Sequence, residues 1–516
     1  MAWQLRVGFE VHARLLSRSK LFSGSSAAFQ GASHGANAQV AWLDAGLPGS
    51  LPRLNAACVD LAVRTGLALD GEVQAESVFE RKHYFYGDSP LGYQITQQRK
   101  PIVVGGQLAF RYKEGAARSA LPGQGPSNGE QVMTKVMRIT RVQLEQDTGR
   151  SLQGGPGGCN LLDLNRAGVG LVEIVTEPDA SSAKEAAAFA ASMRALLTAA
   201  GTCDGNMQDG SLRFDVNISV HTDGIDSHRV EVKNVNSIKS IERAVEYENT
   251  RLVRLYSENP VPGLGHETRS FDASIGETVA MRDKEKDADY RFVPDPDLLP
   301  LRISQDRIAR IQNELPELPD ATFARLCRAP FELSEEDAFT IFSEPSGVPY
   351  FESVVAEVGP QAPKPAEIAS WMSNVLLGRL HKQKLSSFIN GVSPAFVAEL
   401  VTLEGSDQIS PRTARRVLDA ALTHVVAETA PPMPLAIVQE RNWLQISDPA
   451  ELRAICEQVI TDLEATKKGS KNLAQYREGK ATLFDFFMGQ AMRRTHGCAN
   501  PAALEPILRD VLGGDP

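Results

Sequence analysis

The sequence predicts an α+β protein, in which a mixed and largely antiparallel sheet comes first and helices follow. Up to about residue 300, short apolar runs are separated by turn signals such as Gly46-Leu47-Pro48-Gly49. Beyond Pro300, amphipathic patterns of helical period dominate. A length of 516 residues allows two to four domains. We therefore expect a sheet domain over 1–300, a helical domain over 301–391 and a second helical domain over 392–516.

The first predicted strand, residues 5–15, has a polar face that suits a cation. Successive side chains of a strand point in opposite directions, so the segment has two faces. One face is apolar: Val7, Phe9, Val11 and Ala13. The other carries Gly8, Glu10, His12 and Arg14. Oxygen and nitrogen ligands two residues apart suit a divalent cation, and the alternative is a solvated strand face without a ligand.

Further carboxylates lie in strand-like segments. They are Glu145, Asp147, Glu173, Asp215 and Glu231. A carboxylate inside an apolar run, such as Glu173, needs a partner or a metal to be buried, and a structural salt bridge is the alternative. Several inward carboxylates with arginine and lysine nearby favour a metal-nucleotide site on a sheet. Neither G-x-x-x-x-G-K-S/T nor G-x-G-x-x-G occurs in the chain, so the site would not be a phosphate-binding loop of either kind.

Helical patterns interrupt the strands and later replace them. We expect helices over 181–200, 237–256, 304–328, 334–345 and 366–390. From about residue 392 a series of short helices should begin at Ser-Pro or Asp-Pro pairs, where serine or aspartate can act as the N-cap. The Gly/Ala/Ser/Pro-rich stretch 114–130 predicts a surface loop.

The composition excludes several classes of protein. No apolar run approaches the roughly 18–20 residues of a membrane span, which predicts no membrane insertion. A net charge of −10 argues against a surface that is basic throughout, although a local basic patch is compatible with it. The six cysteines form no C-x-x-C pair, which argues against a disulfide framework or a zinc ribbon. The N-terminus shows neither a signal peptide nor a transit peptide, which taken alone favours the cytoplasm.

Ten blocks of sequence are more specific than any single carboxylate. They are 8–12 (GFEVH), 19–24 (SKLFSG), 46–52 (GLPGSLP), 81–88 (RKHYFYGD), 92–97 (GYQITQ), 163–168 (DLNRAG), 173–179 (EIVTEPD), 205–213 (GNMQDGSLR), 231–237 (EVKNVNS) and 289–297 (DYRFVPDPD). In this order they closely resemble the GatB family, the B subunits of aspartyl/glutamyl-tRNA(Asn/Gln) amidotransferases. The blocks 476–480 (YREGK), 489–492 (GQAM) and 495–501 (THGCANP) resemble the YqeY-type tail of that family.

The resemblance implies a reaction, cofactors and partners. Family members act in a complex with the amidase (A) subunit, which frees ammonia from glutamine, and with the small (C) subunit or its equivalent. The family member itself uses ATP and Mg²⁺ to phosphorylate the glutamate of mischarged Glu-tRNA(Gln), and ammonia then displaces the phosphate. Activation is needed because a free carboxylate would have to expel oxide. A metal held by carboxylates neutralises charge during phosphoryl transfer.

The same resemblance assigns residues to the cradle domain, 1–300. The expected metal ligands are Glu10, His12, Glu145 and Glu173. The expected catalytic residues are Glu145, Asp147, Asp215 and Lys233. Contacts to ATP are expected from Arg213, Arg291 and Glu231.

A basic stretch in the YqeY-like tail is the expected tRNA contact. It contains Lys467, Lys468, Lys471, Arg477, Lys480, Arg493 and Arg494, with only two acidic residues between 467 and 494. Phosphate contact by such a patch is the functional interpretation. The alternative is a solvated helical face.

Two departures from the family pattern bear on zinc and on the compartment. Many bacterial members carry a zinc knuckle, with cysteines after Lys-Leu-Phe and before Leu-Pro-Gly. Here those places read Ser23-Gly24-Ser25 and Ala41-Trp42-Leu43-Asp44, so no zinc is expected. The bacterial motif His-Leu-Glu-Glu-Asp here reads Gln143-Leu144-Glu145-Gln146-Asp147, which resembles the mitochondrial branch. This favours the mitochondrial matrix, with a bacterial-type cytoplasm as the alternative.

Two other functions compete with this interpretation. One is a scaffold that binds tRNA and an amidase but has lost ATP chemistry, which the retained acidic positions disfavour. The other is a stand-alone ATP-dependent amide ligase, which the lack of a recognisable glutaminase triad disfavours.

Overall fold

The chain divides into two compact units, Met1–Thr322 and Phe323–Pro516. The computed structural model describes residues 3–28, 35–114, 131–152, 154–259, 266–281, 290–359, 363–385 and 387–513. The predicted α+β class is confirmed, because a large mixed sheet forms the first unit and helices form the described part of the second. The three-part division at 300 and 391 stays a prediction. Beyond Glu114, the loop predicted over 114–130 lies outside the described residues.

The first unit contains the strands and the first helices. The strands are β1 (Gln4–Arg14), β2 (Glu72–Val73), β3 (Glu76–Ser77), β4 (Glu80–His83), β5 (Tyr93–Thr96), β6 (Val103–Val104), β7 (Gln107–Glu114), β8 (Gln131–Gln146), β9 (Arg150–Leu152), β10 (Leu161–Asp163), β11 (Gly170–Thr176), β12 (Leu212–Thr222), β13 (Ile225–Asp226), β14 (Arg229–Val235), β15 (His266–Asp272), β16 (Glu277–Ala280), β17 (Val293–Pro294) and β18 (Leu301–Arg302). The helices are α1 (Ala56–Ala68), α2 (Ala183–Ala199), α3 (Ile238–Glu258), α4 (Gln305–Asn313) and α5 (Pro319–Leu326), which ends in the second unit.

Strand β1 runs through the middle of the large sheet. The order of this sheet is β16-β15-β14-β12-β1-β11-β8-β6-β2, with β13 on β12 and β7 on β8. Within it β14 and β15 are parallel and the other pairs are antiparallel, as a largely antiparallel sheet requires. A separate three-stranded sheet has the order β17-β4-β5. Its strands β4 and β5 overlap the sequence blocks 81–88 and 92–97.

The two faces of β1 differ as its alternation predicts. Val7, Phe9, Val11 and Ala13 are each 1% exposed or less. Phe9 packs against Phe189 of α2, with ring centroids 4.8 Å apart. Burial of the apolar face under this helix leaves the polar side chains of β1 on the opposite face of the sheet.

Helix prediction succeeds where a cap is present and fails at a proline. Helices predicted over 181–200 and 237–256 are confirmed as α2 and α3, whose N-caps Ser182 and Ser237 accept backbone N–H bonds. The single helix predicted over 304–328 is wrong, since α4 and α5 are separate helices. Pro316 lies between them, and a proline removes a hydrogen-bond donor and clashes with the preceding turn.

The second unit is helical in its described part. Its helices are α6 (Glu335–Ser343), α7 (Gly347–Glu357), α8 (Pro365–Trp371), α9 (Leu377–Lys382), α10 (Pro394–Gly405), α11 (Pro411–Val426), α12 (Pro434–Glu440), α13 (Pro449–Glu464), α14 (Lys467–Arg477), α15 (Phe484–Arg494) and α16 (Pro501–Leu512). A π-turn, Met372–Leu376, joins α8 to α9, and the helix predicted to reach residue 390 already ends at Lys382. Ser393, Ser410 and Asp448 are N-caps, which confirms the predicted Ser-Pro and Asp-Pro starts. Among the described residues, no helix has both the length and the apolar character of a membrane span.

Candidate active site on the polar face of the central sheet

Strand register brings distant carboxylates to the polar face of β1. His12 lies opposite Glu173 of β11 on one side, and Glu10 lies opposite Asp215 of β12 on the other. One strand further out, Glu231 of β14 lies opposite Asn217 of β12. Residues that face each other on adjacent antiparallel strands have Cβ atoms about 4.5–5.5 Å apart, so these side chains share one site.

His12 lies at the centre of this group. Its Nδ1 is 3.3 Å from a carboxylate oxygen of Glu145, and its Nε2 is 3.7 Å from one of Asp215. Burial by itself lowers the pKa of His12, but hydrogen bonds to Asp215 and Glu145 outweigh it and raise the pKa well above 6.5. The two carboxylates therefore hold the ring in one orientation.

Glu145 and Glu173 are both buried, and their pKa values shift in opposite directions. Burial and the negative charge of Glu145 raise the pKa of Glu173. Burial also acts to raise the pKa of Glu145, but contact with His12 outweighs it and lowers this pKa. Gln143 donates a 2.7 Å hydrogen bond to Glu173 Oε2 and fixes that carboxylate. Two buried carboxylates with opposed pKa shifts are typical of a functional site.

Two sets of side chains have the geometry to hold a metal ion. They are Glu10, His12 and Glu173, and Glu10, Asp215 and Glu231, whose ligand atoms lie within 4.8 Å of one another in each set. Hard oxygen ligands with at most one imidazole fit Mg²⁺. Glu145, a predicted ligand, belongs to neither of these sets in the described part of the chain and instead contacts His12. A bound cation would itself change the pKa values described above.

Positive side chains border the carboxylates. Arg213 Nη2 is 3.0 Å from Asp147, and Arg166 Nε is 3.5 Å from the same carboxylate. Lys233 Nζ is 3.2 Å from Glu231. The buried Nε of Arg213 has no hydrogen-bond partner among the described residues. An unpartnered buried N–H donor beside a carboxylate cluster fits an anionic ligand such as a phosphate group.

Sequence reasoning missed three side chains of the site. Gln143 bonds to Glu173, Asn217 donates a 3.2 Å hydrogen bond to Glu10, and Arg166 neutralises Asp147. Gln143 and Asn217 stand two residues from Glu145 and Asp215, on the same faces of β8 and β12. Strand alternation could have indicated these two, whereas the position of Arg166 in a loop carries no such signal.

Arg291 adjoins strand β4 of the separate three-stranded sheet. Its side chain is exposed, and its backbone carbonyl accepts a 2.9 Å hydrogen bond from His83 Nδ1 on β4. It therefore adjoins the three-stranded sheet, and its expected contact with ATP stays a prediction.

All seven basic residues expected to contact tRNA are exposed. Lys467, Lys468 and Lys471 lie on the first turns of α14, and two others are paired within the tail. Arg494 is 2.6 Å from Asp462, and Arg477 is 3.9 Å from Glu464. The three lysines of α14 therefore carry most of the positive charge available to a phosphate backbone.

A buried ion pair occupies the region where the family pattern has its zinc knuckle. Lys20 Nζ is 2.9 Å from Asp44 Oδ2, and the side chains of both residues are almost fully buried. The same oxygen accepts hydrogen bonds from Ser23 Oγ at 3.1 Å and Ala41 N at 2.9 Å. The Asp44 carboxylate thus connects Lys20 and Ser23 to Ala41, in the region where the family pattern has cysteine thiolates.

Two family models match the chain. Residues 5–309 match the GatB/GatE catalytic domain, and residues 349–512 match the GatB domain. The first match includes all the carboxylates of the site, and the second includes the whole basic tail.

Curated relatives align over nearly the full length. The chain is 39% identical to the B subunit of the mitochondrial glutamyl-tRNA(Gln) amidotransferase of Phytophthora infestans, with 99% of this chain and 95% of the relative covered. It is 40% identical to the B subunit of the aspartyl/glutamyl-tRNA(Asn/Gln) amidotransferase of Rickettsia canadensis, with 99% and 98% covered. The same protein of Rickettsia rickettsii is also 40% identical over 99% of the chain.

Proposed function

This chain belongs to the GatB/GatE family, and from that premise we propose that it is the B subunit of a glutamyl-tRNA(Gln) amidotransferase. Its reaction is the ATP-dependent conversion of Glu-tRNA(Gln) to Gln-tRNA(Gln), as a carbon–nitrogen ligase in protein biosynthesis. The observation that supports this best is the group of His12 with four carboxylates on one sheet face, within the segment that matches the catalytic domain. The amidase (A) and small (C) subunits would supply ammonia and complete the complex.

The chemistry has two steps. A carboxylate oxygen of the esterified glutamate attacks the γ-phosphorus of ATP, and the bond from that phosphorus to the leaving oxygen of ADP breaks. Ammonia then attacks the acyl carbon, phosphate leaves, and the surplus proton of the nitrogen passes to solvent. When bound, Mg²⁺ supplies charge neutralisation for the phosphoryl transfer.

The chain's own residues orient these reactants. Glu10, His12, Glu173, Asp215 and Glu231 would hold Mg²⁺, and Glu145 fixes the His12 ring. Hydrogen bonds of this kind from residues behind the ligands set their orientation and raise metal affinity. Arg213 and Lys233 would contact phosphate oxygens, where preorganised positive charge stabilises the transferring group. Asp147 positions Arg213 through their 3.0 Å ion pair.

Co-purification and activity test the proposal together. The chain is tagged and recovered from its native source, and the complex is assayed for Gln-tRNA(Gln) formation from Glu-tRNA(Gln), glutamine, ATP and Mg²⁺. We expect an amidase-family partner and ATP hydrolysis that depends on Glu-tRNA(Gln). An amidase partner without tRNA-dependent ATP hydrolysis would instead support the scaffold function, and activity of the chain alone would support a stand-alone ligase.

Replacement of Asn217 should weaken Mg²⁺ binding without unfolding the sheet. Asn217→Ala removes the hydrogen bond to Glu10 Oε1 and leaves that carboxylate free to rotate. We expect about a 10- to 100-fold rise in the Mg²⁺ concentration that gives half-maximal amidation. Ser219→Ala, two residues further along the same face of β12, is the matched control. An equal Mg²⁺ requirement in the two variants would contradict the role of Asn217.

The lysines of α14 should govern the salt dependence of tRNA binding. Replacing Lys467, Lys468 and Lys471 with alanine removes up to three phosphate contacts. We expect the slope of log affinity against log salt to become shallower by about 2 to 3, since each contact releases roughly one counterion. The control is Arg453→Ala, an exposed cation of the same tail that pairs with Asp510. A slope unchanged from wild type would show that the tRNA does not bind at the lysines of α14.

The compartment we propose is the mitochondrial matrix. The observation behind this is the Gln143-Leu144-Glu145-Gln146-Asp147 segment, together with the similarity to a mitochondrial relative. Fractionation of the native cells, with the chain followed by antibody, tests it, and recovery in a cytoplasmic fraction would contradict it.

A further inference from the structure

An exposed group of aromatic rings lies beside the carboxylate site and has no role in the chemistry described above. We call Tyr84, Phe85 and Tyr86 the aromatic ledge. Phe85 is 82% exposed and Tyr84 is 36% exposed. The rings of Tyr84 and Tyr86 lie against each other, with centroids 4.1 Å apart and an interplanar angle of 34°. Adjacent exposed aromatic rings of this kind are typical of a binding surface.

The backbone of the aromatic ledge is held in place by hydrogen bonds. Tyr84 N donates to Gly92 O at 3.0 Å, and Ser89 N donates to Tyr86 O at 2.9 Å. These two bonds close the loop that follows β4. A surface that is already ordered loses little entropy when a ligand binds, so it can contribute to affinity.

The same loop is attached to the segment that follows β8, the strand of Glu145. Gly149, just beyond β8, donates a 2.7 Å backbone hydrogen bond to Asp88 O. Strand β5 is joined to β8 through Gln94, whose side chain donates to Gln146 O at 2.5 Å. Gln146 is the immediate neighbour of Glu145 in the chain, so the aromatic ledge stands at the border of the carboxylate site.

Lys82 stands two residues before the aromatic ledge in the chain. Lys82 Nζ lies 4.7 Å from the centre of the Tyr290 ring. Burial raises the pKa of Tyr84, and the positive charge of Lys233 opposes that effect. Aromatic faces combined with cations are the usual surface for single-stranded nucleotides, because rings stack on bases and cations meet phosphates.

We propose that the aromatic ledge stacks the base of the 3′-terminal adenosine of the aminoacyl-tRNA. This inference rests on the proposed function, in which the glutamate to be phosphorylated is esterified to the ribose of that nucleoside. Only this ribose and the glutamyl chain separate the base from the reacting carboxylate. The base must therefore lie just outside the carboxylate site, where Tyr84 and Phe85 stand.

The adenine of ATP is the other possible source of such a base, and the geometry favours the tRNA. Bound nucleotides are usually enclosed in a cavity, whereas Phe85 projects into solvent. The nearby cavity, of about 30 Å³, is lined by Asp88 to Leu91 and by Asp147, without Phe85. That volume holds about one water molecule and is too small for a base. An open surface suits the 3′ end of a tRNA that is also bound elsewhere along its length.

The test compares two tRNAs in the assembled complex. Uncharged tRNA(Gln), intact or lacking its terminal adenosine, is titrated against wild type, Phe85→Ala and Phe85→Trp. We expect Phe85→Ala to bind intact tRNA about 5- to 150-fold more weakly, the range that loss of one stacked base produces. The same variant should bind the shortened tRNA as wild type does, and Phe85→Trp should retain wild-type affinity for both. Leu299→Ala, at a site 87% exposed in the same unit, is the control and should change neither affinity.

Four outcomes would overturn the inference in distinguishable ways. Equal weakening of both tRNAs by Phe85→Ala would mean that the ring does not contact the terminal base. A rise in the KM for ATP, with tRNA affinity unchanged, would assign the aromatic ledge to the adenine of ATP. Lack of tRNA-dependent amidation by the unaltered complex would overturn the proposed function, and the inference with it. Normal amidation by the unaltered complex, together with unaffected tRNA binding by Phe85→Ala, would overturn the inference alone.

Discussion

Glu10→Gln should lower the rate of ATP-dependent amidation by about 10²- to 10³-fold, the usual cost of removing one electrostatic stabiliser of the transition state. Glu10 is the residue common to both sets of potential metal ligands, so a single neutral amide weakens both. The amide retains the shape of the side chain. The measurement is single-turnover formation of Gln-tRNA(Gln) by the assembled complex at saturating ATP and Mg²⁺.

Two controls separate this effect from damage to the fold. Asp226→Asn removes a carboxylate that is 77% exposed, and it should leave the rate unchanged. Glu10→Gln should also leave the free energy of unfolding equal to or above that of wild type in Mg²⁺-free buffer, because one of several mutually repelling charges is lost. Retention of more than half the wild-type rate by Glu10→Gln would refute the metal-binding role of this strand.

Asp44→Ala should lower the free energy of unfolding of the first unit by about 3–5 kcal/mol, the cost of leaving one charge of a buried pair without its partner. Lys20 is fully buried, and its ammonium lies 2.9 Å from Asp44. The carboxylate also accepts bonds from Ser23 and Ala41, so its loss leaves further donors unpaired. Denaturation by urea is followed by the fluorescence of Trp3 and Trp42, with Trp371 and Trp443 replaced by phenylalanine.

Comparison with an exposed pair and with a double replacement makes the Asp44 experiment decisive. Glu76→Ala breaks a 3.5 Å contact to Lys100 whose side chains are 43% and 60% exposed, and it should cost less than about 1 kcal/mol. Changing Lys20 to Met together with Asp44 to Leu should restore most of the stability, since neither charge then remains buried. A loss for Asp44→Ala no larger than that for Glu76→Ala would show that water reaches Lys20.

Local patterns in the sequence predicted much of the fold. The alternation along β1 identified its apolar face, because the pleat of a strand depends only on neighbouring residues. A serine cap located the start of α2 for the same reason, since the cap bond forms within three residues. The missed break between α4 and α5 was also local, and Pro316 in the sequence is sufficient to explain it.

Identification of the candidate site depended on both the sequence and the tertiary structure. Sequence patterns named Glu10, His12, Glu173 and Asp215, and strand register brought them together from positions up to about two hundred residues apart. Register is a property of strand pairing across the sheet, so no local pattern contains it. The partners of these residues, such as Asn217 on Glu10, followed only once the strands were paired.

By itself, the sequence determined the α+β class, the family, the polar face of β1 and the basic residues of the tail. The tertiary structure alone decided that Asp147 lies between Arg166 and Arg213 and that Lys20 meets Asp44 in the interior. It also decided that the backbone carbonyl of Arg291 meets His83 of β4. The reason is physical: periodicity and capping are interactions between near neighbours in the chain, whereas ion pairs and ligand sets join side chains that only the folded sheet brings within a few ångströms.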